Sequence, residues 1–192
     1  MDTDQKPTGL PAGAQKVFTG EIFTIWQWPQ KIYDGSIQTF EKAQRPDTVF
    51  VLPVLPDGKI LLVTDEQPHR QPILTLPAGR MEVGEDDPLA AMKRELLEET
   101  GYEAGRWIPW YSYQPVGKIL WQVHGYIARD LRQVKTADPG EGERITPEPH
   151  SFEEFIAAVR RDKIHDFALK AYILEALLDE QHMKEFKNLL YG

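Results

Sequence analysis

Three glutamates and one arginine, spaced at helical intervals, are the residues in this chain whose types and positions could do chemistry. Glu95, Glu98 and Glu99 stand at positions i, i+3 and i+4, so on a helix their carboxylates share one face. Carboxylates at this spacing repel each other, and Arg94 alone cannot neutralise three of them. Hard divalent cations such as magnesium or manganese accept carboxylate oxygens and commonly keep water and phosphate oxygens as further ligands. The cluster therefore predicts a cation site, with a solvated charged helix face as the alternative.

The segment that carries these residues is predicted to be a helix from Pro88 to Thr100. Asp87 is a suitable N-cap, proline fits the first helical position, and Gly101 supplies a left-handed stop. The loop before the helix, residues 76–85, contains one proline at its start and two glycines. Such a loop can bring backbone carbonyls beside the same carboxylates, and this favours the cation site over the solvated face.

Residues 79–102 resemble the Nudix box, whose pattern is G-x5-E-x7-R-E-U-x-E-E-x-G-U, where U is a bulky apolar or aromatic residue. One residue is extra, because eight residues separate the first glutamate from the arginine where the pattern has seven. An insertion inside the helix would rotate the carboxylate face by about 100°, so we place it before the helix, at Asp86 or Asp87. The matching positions are Gly79, Glu85, Arg94, Glu95, Leu96, Glu98, Glu99, Gly101 and Tyr102.

Composition limits the class of protein. A chain of 192 residues with 41% hydrophobic residues suits one globular domain, with room for a small appendage. It has no cysteine, which excludes disulfides, thiolate zinc sites and a cysteine nucleophile. No apolar run approaches the roughly 20 residues of a membrane span, and the N-terminus lacks the apolar core of a signal peptide, so we expect a cytoplasmic protein without a membrane partner. The net charge of −8 argues against binding to nucleic acid.

The N-terminal part of the chain is predicted to be an appendage. Residues 1–16 are expected to form a flexible arm, and residues 17–45 a β-hairpin with strands at 17–28 and 37–40. Trp26 and Trp28 alternate with Gln27 and would share one face of the first strand. Packing against the main domain or a dimer partner is the favoured interpretation of this pair, and a stacking surface for a base is the alternative.

Residues 46–192 are predicted to form the main domain, in which strands come first and helices later, the order of an α+β fold. The strands at 48–55 and 59–64 are expected to pair as a second hairpin. Residues 65–72 and most of 129–150 are polar and are predicted to be loops. The remaining strands are predicted at 73–76, 107–113 and 119–127, and the remaining helices at 152–161 and 167–190.

The resemblance extends from about residue 17 to about residue 178. The sequence Leu-Pro-Ala-Gly at 76–79 is similar to the lead-in of ADP-ribose pyrophosphatases and related nucleoside-diphosphate-sugar hydrolases. This branch implies the Nudix α/β/α sandwich around a mixed β-sheet, with an N-terminal β-hairpin extension. It also implies a homodimer in which the hairpin is the dimerisation element.

The resemblance assigns the metal ligands. Glu95 and Glu99 would be the main Mg²⁺ ligands, with Mn²⁺ as a possible substitute. The backbone carbonyl of Ala78 would add a ligand, and Glu98 would bind directly or through water. Arg94 would hold a neighbouring box glutamate in place, either Glu98 or the glutamate at position 85.

The same resemblance points to a base and to substrate contacts. Residues 141–145 are similar to a mobile, glutamate-bearing loop of this branch, which makes Glu141 or Glu143 the candidate catalytic base, with solvated loop glutamates as the alternative. Arg45 and Arg70 are candidates to bind the phosphates or the terminal sugar, although each could equally be a surface arginine. His69 is expected to be a loop histidine and not a metal ligand.

The implied activity is Mg²⁺-dependent hydrolysis of the diphosphate linkage of ADP-ribose or a related nucleoside diphosphate sugar, giving a nucleoside monophosphate and a sugar phosphate. One alternative is hydrolysis of another nucleoside diphosphate-linked compound, such as a dinucleotide or an oxidised nucleoside triphosphate. The hairpin and the Leu-Pro-Ala-Gly lead-in argue mildly against a triphosphate. Another alternative is a noncatalytic sensor of such metabolites, against which the complete set of box carboxylates argues.

Overall fold

The computed structural model describes residues 6–68, 70–139, 142–161, 163–164 and 166–192. None of the helices in these ranges is long and apolar enough to cross a membrane. In chain order the elements are β1 (Gln15–Thr19), β2 (Thr24–Lys31), β3 (Ile37–Gln44), β4 (Thr48–Pro53), β5 (Ile60–Gln67), β6 (Arg70–Thr75), β7 (Ala78–Arg80), α1 (Pro88–Thr100), β8 (Tyr102–Tyr113), β9 (Ile119–Leu120), β10 (Val123–Gln133), β11 (Arg144–His150), α2 (Phe152–Arg160), α3 (Phe167–Leu178) and α4 (Glu180–Tyr191).

The strands form three sheets. The central sheet has the order β7-β4-β10-β8 and is mixed, because β4 and β10 run parallel while the other neighbours are antiparallel. A second sheet, β11-β5-β6, is antiparallel. The N-terminal strands form the third sheet, β1-β2-β3-β9, in which the short β9 joins the N-terminal strands to the main domain.

Alternating side chains of β4 face two different hydrophobic clusters. Val49 and Val51 pack in the cluster that contains the buried residues of α1, among them Leu96. Phe50 and Leu52 pack in the cluster formed with α2, α3 and α4. A strand whose two faces are both covered by helices belongs to the middle layer of a sandwich. The predicted α/β/α sandwich around a mixed sheet is confirmed.

Helix α1 has the predicted bounds and caps. The Asp87 side chain accepts a hydrogen bond from the Leu89 N–H, and Gly101 adopts a left-handed φ of 75°. The helix runs without interruption from Pro88 to Thr100, so the extra residue of the box lies before the helix, as predicted. Helix α2 begins with a capping box, which Ser151 and Glu154 form.

The N-terminal segment contains two hairpins. The predicted strand at 17–28 is instead divided into β1 and β2, since Gly20 donates its N–H to the Phe23 carbonyl at 2.8 Å and closes a turn. The predicted pairing of the strand at 17–28 with the strand at 37–40 is confirmed by the β2–β3 ladder. The last two residues of the predicted arm, Gln15 and Lys16, belong to β1.

The predicted hairpin between 48–55 and 59–64 is wrong beyond its turn. Val54 and Ile60 form a single antiparallel bridge, after which β4 and β5 diverge into different sheets. This divergence places each strand over a different part of the core. It also opens the space between the two sheets in which the cleft described below lies.

The predicted loop at 129–150 is wrong for much of its length. Strand β10 continues to Gln133 against β8, and β11 pairs with β5. These strands lack an apolar sequence pattern because they are largely solvent-facing. Pro147 and Pro149 are tolerated in β11 because it is an edge strand. The predicted loop at 65–72 is likewise mostly occupied by the ends of β5 and β6.

The predicted helix at 167–190 is two helices. Asp179 has extended backbone angles, ends α3, and accepts hydrogen bonds from the N–H groups of Gln181 and His182. An aspartate that caps a new helix competes with continuation of the old one. The aromatic side chains of Tyr172 and Phe186 then pack across the break.

We expect Gly101→Ala to lower the free energy of unfolding by more than about 1 kcal/mol. Alanine is strained in the left-handed conformation, and its Cβ would clash with the backbone of a neighbouring segment. A Cβ at position 101 would lie 2.2 Å from the Lys135 carbonyl oxygen. Gly84→Ala is the matched control, since Gly84 also has a positive φ, 94°, but no atom among the described residues lies within 4 Å of its added Cβ. Equal losses in urea unfolding would contradict the predicted clash.

Candidate active site

Arg94 binds three of the box glutamates at once. Its Nε and Nη2 donate to the two carboxylate oxygens of Glu85 at 3.0 and 3.1 Å. Its Nη1 donates to Glu95 at 2.9 Å and to Glu98 at 3.1 Å. Hydrogen bonding to this guanidinium lowers the pKa of Glu85. Both predicted partners of Arg94 are therefore in contact with it, and the extra residue of the box does not separate it from Glu85.

Glu95 and Glu99 are carboxylates held out of water. Glu99 is only 7% exposed, and its Oε2 accepts the Ala78 N–H at 3.1 Å. Burial, and next the charge of Glu95, raise the pKa of Glu99 well above its ordinary value. Burial also raises the pKa of Glu95, although Arg94 opposes that shift. The negative charge of this pair is thus not fully compensated by positive charge.

Gly79 allows the helix to approach the loop. A Cβ added at this position would lie 1.9 Å from the Cδ of Glu95. Any side chain here would displace that carboxylate. The box glycine is therefore explained by packing, because the strand β7 backbone and the carboxylate of Glu95 occupy adjoining space.

A cleft of about 1160 Å³ borders this cluster, and Glu85, Arg94 and Glu98 are not among the residues that line it. Asp65, Glu95, Glu99 and Glu143 all line it. Gln67 bridges two of them, since its Nε2 donates to Glu143 at 3.1 Å and to Asp65 at 3.4 Å. The negative charge of Glu143 contributes to the raised pKa of both box glutamates.

The donor set of the cleft fits a hard divalent cation. All four of these lining carboxylates offer oxygen ligands, and Asp65 has a buried Oδ1 without a hydrogen-bond partner among the described residues. In the present arrangement, no three His, Cys, Asp or Glu side chains of the described residues form a group that could hold a metal ion. Arg94 binds one carboxylate oxygen of Glu95 and one of Glu98, which leaves the other oxygen of each to face a cation.

The two candidate binding arginines lie beside the cleft. The Arg45 guanidinium is 4.5 Å from the ring centroid of Trp121, a residue that lines the cleft. Arg70 forms an ion pair with Asp65, another lining residue. Neither arginine lines the cleft itself, and each reaches it through a neighbour. Glu141 and His69 lie outside the described residues.

Trp26 and Trp28 are buried within the N-terminal sheet. They pack with Ala14, Leu10 and Phe40, and neither lines the cleft. Their indole N–H groups donate within the same segment, to the side chains of Gln44 and Gln30. In a single chain the pair packs within its own segment and not against the main domain, and the structure does not bring it to the carboxylates.

Several residues that line the cleft were not predicted from the sequence. Phe167 begins α3 and is 88% exposed at the cleft. Asp65 falls in a segment that was predicted to be a loop, and Trp121 lies in a predicted strand without any motif. Arg80 follows the box glycine directly, and this position is the one signal that could have identified it.

A family model described as NUDIX domain matches residues 44–172, which include the whole box. The chain belongs to the Nudix family. Among curated proteins, it is 28% identical over 166 residues to the ADP-ribose pyrophosphatase of Bacillus subtilis (strain 168), with 85% of this chain and 89% of that protein covered. It is also 27% identical over 156 residues to the methanol dehydrogenase activator of Bacillus methanolicus, with 79% and 83% covered.

A solved structure shares the Nudix fold. The crystal structure of an ADP compounds hydrolase superposes with a TM-score of 0.69 over 88% of this chain and 94% of that one, at 18% identity. The resemblance to the ADP-ribose pyrophosphatase branch is confirmed, and the chain is a Nudix-type pyrophosphohydrolase.

We expect Glu99→Gln to stabilise the metal-free protein at pH 8. The folded-state pKa of Glu99 lies above the ordinary value of 4.5, so its contribution to stability is fully present below that value and is lost as the pH rises through the folded pKa. Glutamine avoids this loss and still accepts the Ala78 N–H. We expect the melting temperature in EDTA to rise by about 2–4 °C, the shift that roughly 1 kcal/mol produces in a chain of this size.

This difference should shrink as the pH falls towards 4.5, where the wild-type carboxyl becomes protonated in both states. Glu98→Gln is the control, because it makes the same charge change on the same helix at a side chain that is 42% exposed. A melting temperature of Glu99→Gln that is unchanged at pH 8 would contradict the assigned burial effect.

Proposed function

We propose that this Nudix enzyme hydrolyses the diphosphate linkage of ADP-ribose or a related nucleoside diphosphate sugar, releasing a nucleoside monophosphate and a sugar phosphate. The observation that carries the proposal is that two buried carboxylates, Glu95 and Glu99, lack full compensation by positive charge and line a cleft large enough for such a substrate. The similarity to a relative named ADP-ribose pyrophosphatase, over most of both chains, supports the substrate class.

Magnesium is the proposed cation, with manganese as a substitute. Glu95, Glu99 and the backbone carbonyl of Ala78 would hold it, and Glu98 would assist directly or through water. A bound divalent cation would neutralise the diphosphate charge and lower the pKa of a coordinated water. The Ala78 N–H holds Glu99 in place, and Arg94 keeps the remaining box glutamates in position.

Glu143 is the proposed general base, with Glu141 as the alternative. Glu143 lines the cleft, and Gln67 holds its Oε1 at 3.1 Å. A carboxylate in this position can accept the proton of the attacking water as the bond to phosphorus forms. The neighbouring glycine, Gly142, has a positive φ of 100° that allows the chain to turn there.

Arg45 and Arg70 are proposed to bind the phosphates or the terminal sugar, each from beside the cleft. The N-terminal segment, residues 17–45, is proposed as a dimerisation element, which its exposed Val17, Phe18 and Tyr33 support. Trp26 and Trp28 contribute to this element by packing, and a stacking role for them stays a prediction. The cytoplasm is the proposed location, and a small molecule, not nucleic acid or a membrane, is the proposed partner.

We expect metal-dependent turnover of one diphosphate class in a panel of ADP-ribose, GDP-mannose, UDP-glucose, dinucleotides and nucleoside triphosphates. Products should be separated by anion-exchange chromatography with Mg²⁺, Mn²⁺ or EDTA present. Glu99→Gln should reduce kcat/KM by at least about 100-fold, since it removes a proposed metal ligand.

Glu103→Gln is the control for this panel, because Glu103 is a surface residue paired with Arg132. Turnover confined to triphosphates would overturn the proposed substrate class. Tight binding of ADP-ribose without turnover would instead indicate a sensor.

We expect Glu143→Gln to lower kcat by about 10²–10⁴-fold while KM changes little, because a general base acts in the transition state and not in substrate binding. Glu141→Gln is measured beside it as the direct competitor. A larger loss in Glu141→Gln would transfer the role of base to that residue.

A further inference from the structure

Arg80 lies in a chain of contacts that leads to Arg45. Residues Arg80 and Thr48 are directly paired across β7 and β4, which places their side chains on one face of the sheet. Thr48 Oγ1 accepts a hydrogen bond from Trp121 Nε1 at 3.0 Å. The Trp121 ring in turn carries the Arg45 guanidinium at 4.5 Å from its centroid. The two arginines therefore belong to one cluster.

The positive charge of this cluster is not balanced. Arg80 forms no ion pair with any carboxylate that the structure describes, and the buried Nε of Arg45 has no hydrogen-bond partner among the described residues. Burial, and next the charge of Arg80, lower the pKa of Arg45, although its guanidinium stays protonated at neutral pH. Asp47 offsets part of the charge, but its carboxylate already accepts the Gln122 N–H and faces His124.

The cluster borders the carboxylates of the site. Arg80, Thr48 and Trp121 line the same cleft as Glu95 and Glu99. Arg80 directly follows Gly79, the residue against which the Glu95 carboxylate packs. One wall of the cleft thus carries the Arg80 guanidinium, and another carries the carboxylates. A substrate with two linked phosphates suits such walls, because one phosphate can meet guanidinium groups while the other is neutralised by a cation on the carboxylates.

We propose that Arg80 and Arg45, supported by the ring of Trp121, form a binding site for one phosphate group of the diphosphate substrate. Arg80 supplies the exposed, directional donors of this site, and Arg45 supplies charge from behind the indole. The inference rests on the proposed function for the identity of the substrate. The phosphate site itself requires only a phosphate group, whatever the rest of the substrate is.

The test is the binding of inorganic pyrophosphate to the metal-free protein in EDTA, measured by titration calorimetry. This ligand contains the two phosphates without a base or a sugar, and the absence of metal removes any attraction to a cation bound by the carboxylates. We expect Arg80→Gln to weaken binding by at least about tenfold, the typical effect of losing a charge-assisted hydrogen bond. Arg80→Lys should lose less, because it keeps the charge but not the planar pair of donors.

Arg106→Gln is the matched control, because it removes the same charge from an exposed position on β8 that does not line the cleft. Absence of pyrophosphate binding by the wild-type protein would overturn the proposal. So would an Arg80→Gln affinity equal to that of Arg106→Gln. Circular dichroism melts of each variant establish that lost binding does not reflect lost folding.

A second readout separates this site from the proposed function. With ADP-ribose and Mg²⁺, Arg80→Gln should raise KM by about tenfold or more and leave kcat within a few-fold of the wild type. If no substrate in the panel is turned over but Arg80→Gln still loses pyrophosphate, the phosphate site stands and the proposed activity fails. If ADP-ribose is hydrolysed with an unchanged KM, the activity stands and the phosphate site fails.

Discussion

Repulsion among crowded carboxylates is the constraint on which this site depends. Glu95 and Glu99 are both largely buried, and the charge of Glu95 adds to the cost of ionising Glu99. Arg94 relieves part of that cost through four hydrogen bonds to the side chains of Glu85, Glu95 and Glu98. Glu99 is not among its partners, and among the described residues its carboxylate accepts a hydrogen bond only from the neutral backbone N–H of Ala78. The uncompensated carboxylates destabilise the folded chain, and a bound cation would compensate their charge and so increase the free energy of unfolding.

The rest of the fold supplies the geometry for that imbalance. Strand β4 is covered on both faces, so it can hold β7 rigidly on one edge while β10 pairs with the other. The position of β7 brings Gly79 against the helix, and the missing side chain lets the Glu95 carboxylate fill the gap. Arginine, glycine and helix therefore act as one unit, because moving any of them would change the distances between the carboxylates.

The local parts of this structure could be predicted from sequence, and the nonlocal parts could not. Helix α1 carries its own signals in Asp87, Pro88 and Gly101, and the box spacing placed its carboxylates on one face. Strand β11 carries no such signal, because its prolines and charged residues are those of a loop and only pairing with β5 makes it a strand. Asp65 and Trp121 reach the cleft through sheet pairing between distant segments, which no local pattern records.

The parallel pairing of β4 with β10 has a consequence for the order in which the protein matures. The register joins Thr48 to Val123, so the central strand pair cannot form until a long intervening segment, including the entire box, has been synthesised. The hydrogen bond from Trp121 to Thr48 spans 73 residues of sequence in the same way. Contacts this distant in sequence are slow to form. When the box of a nascent chain has just emerged from the ribosome, the carboxylates and the arginine of the site are present, but the β4–β10 pair that helps to position them has not yet formed.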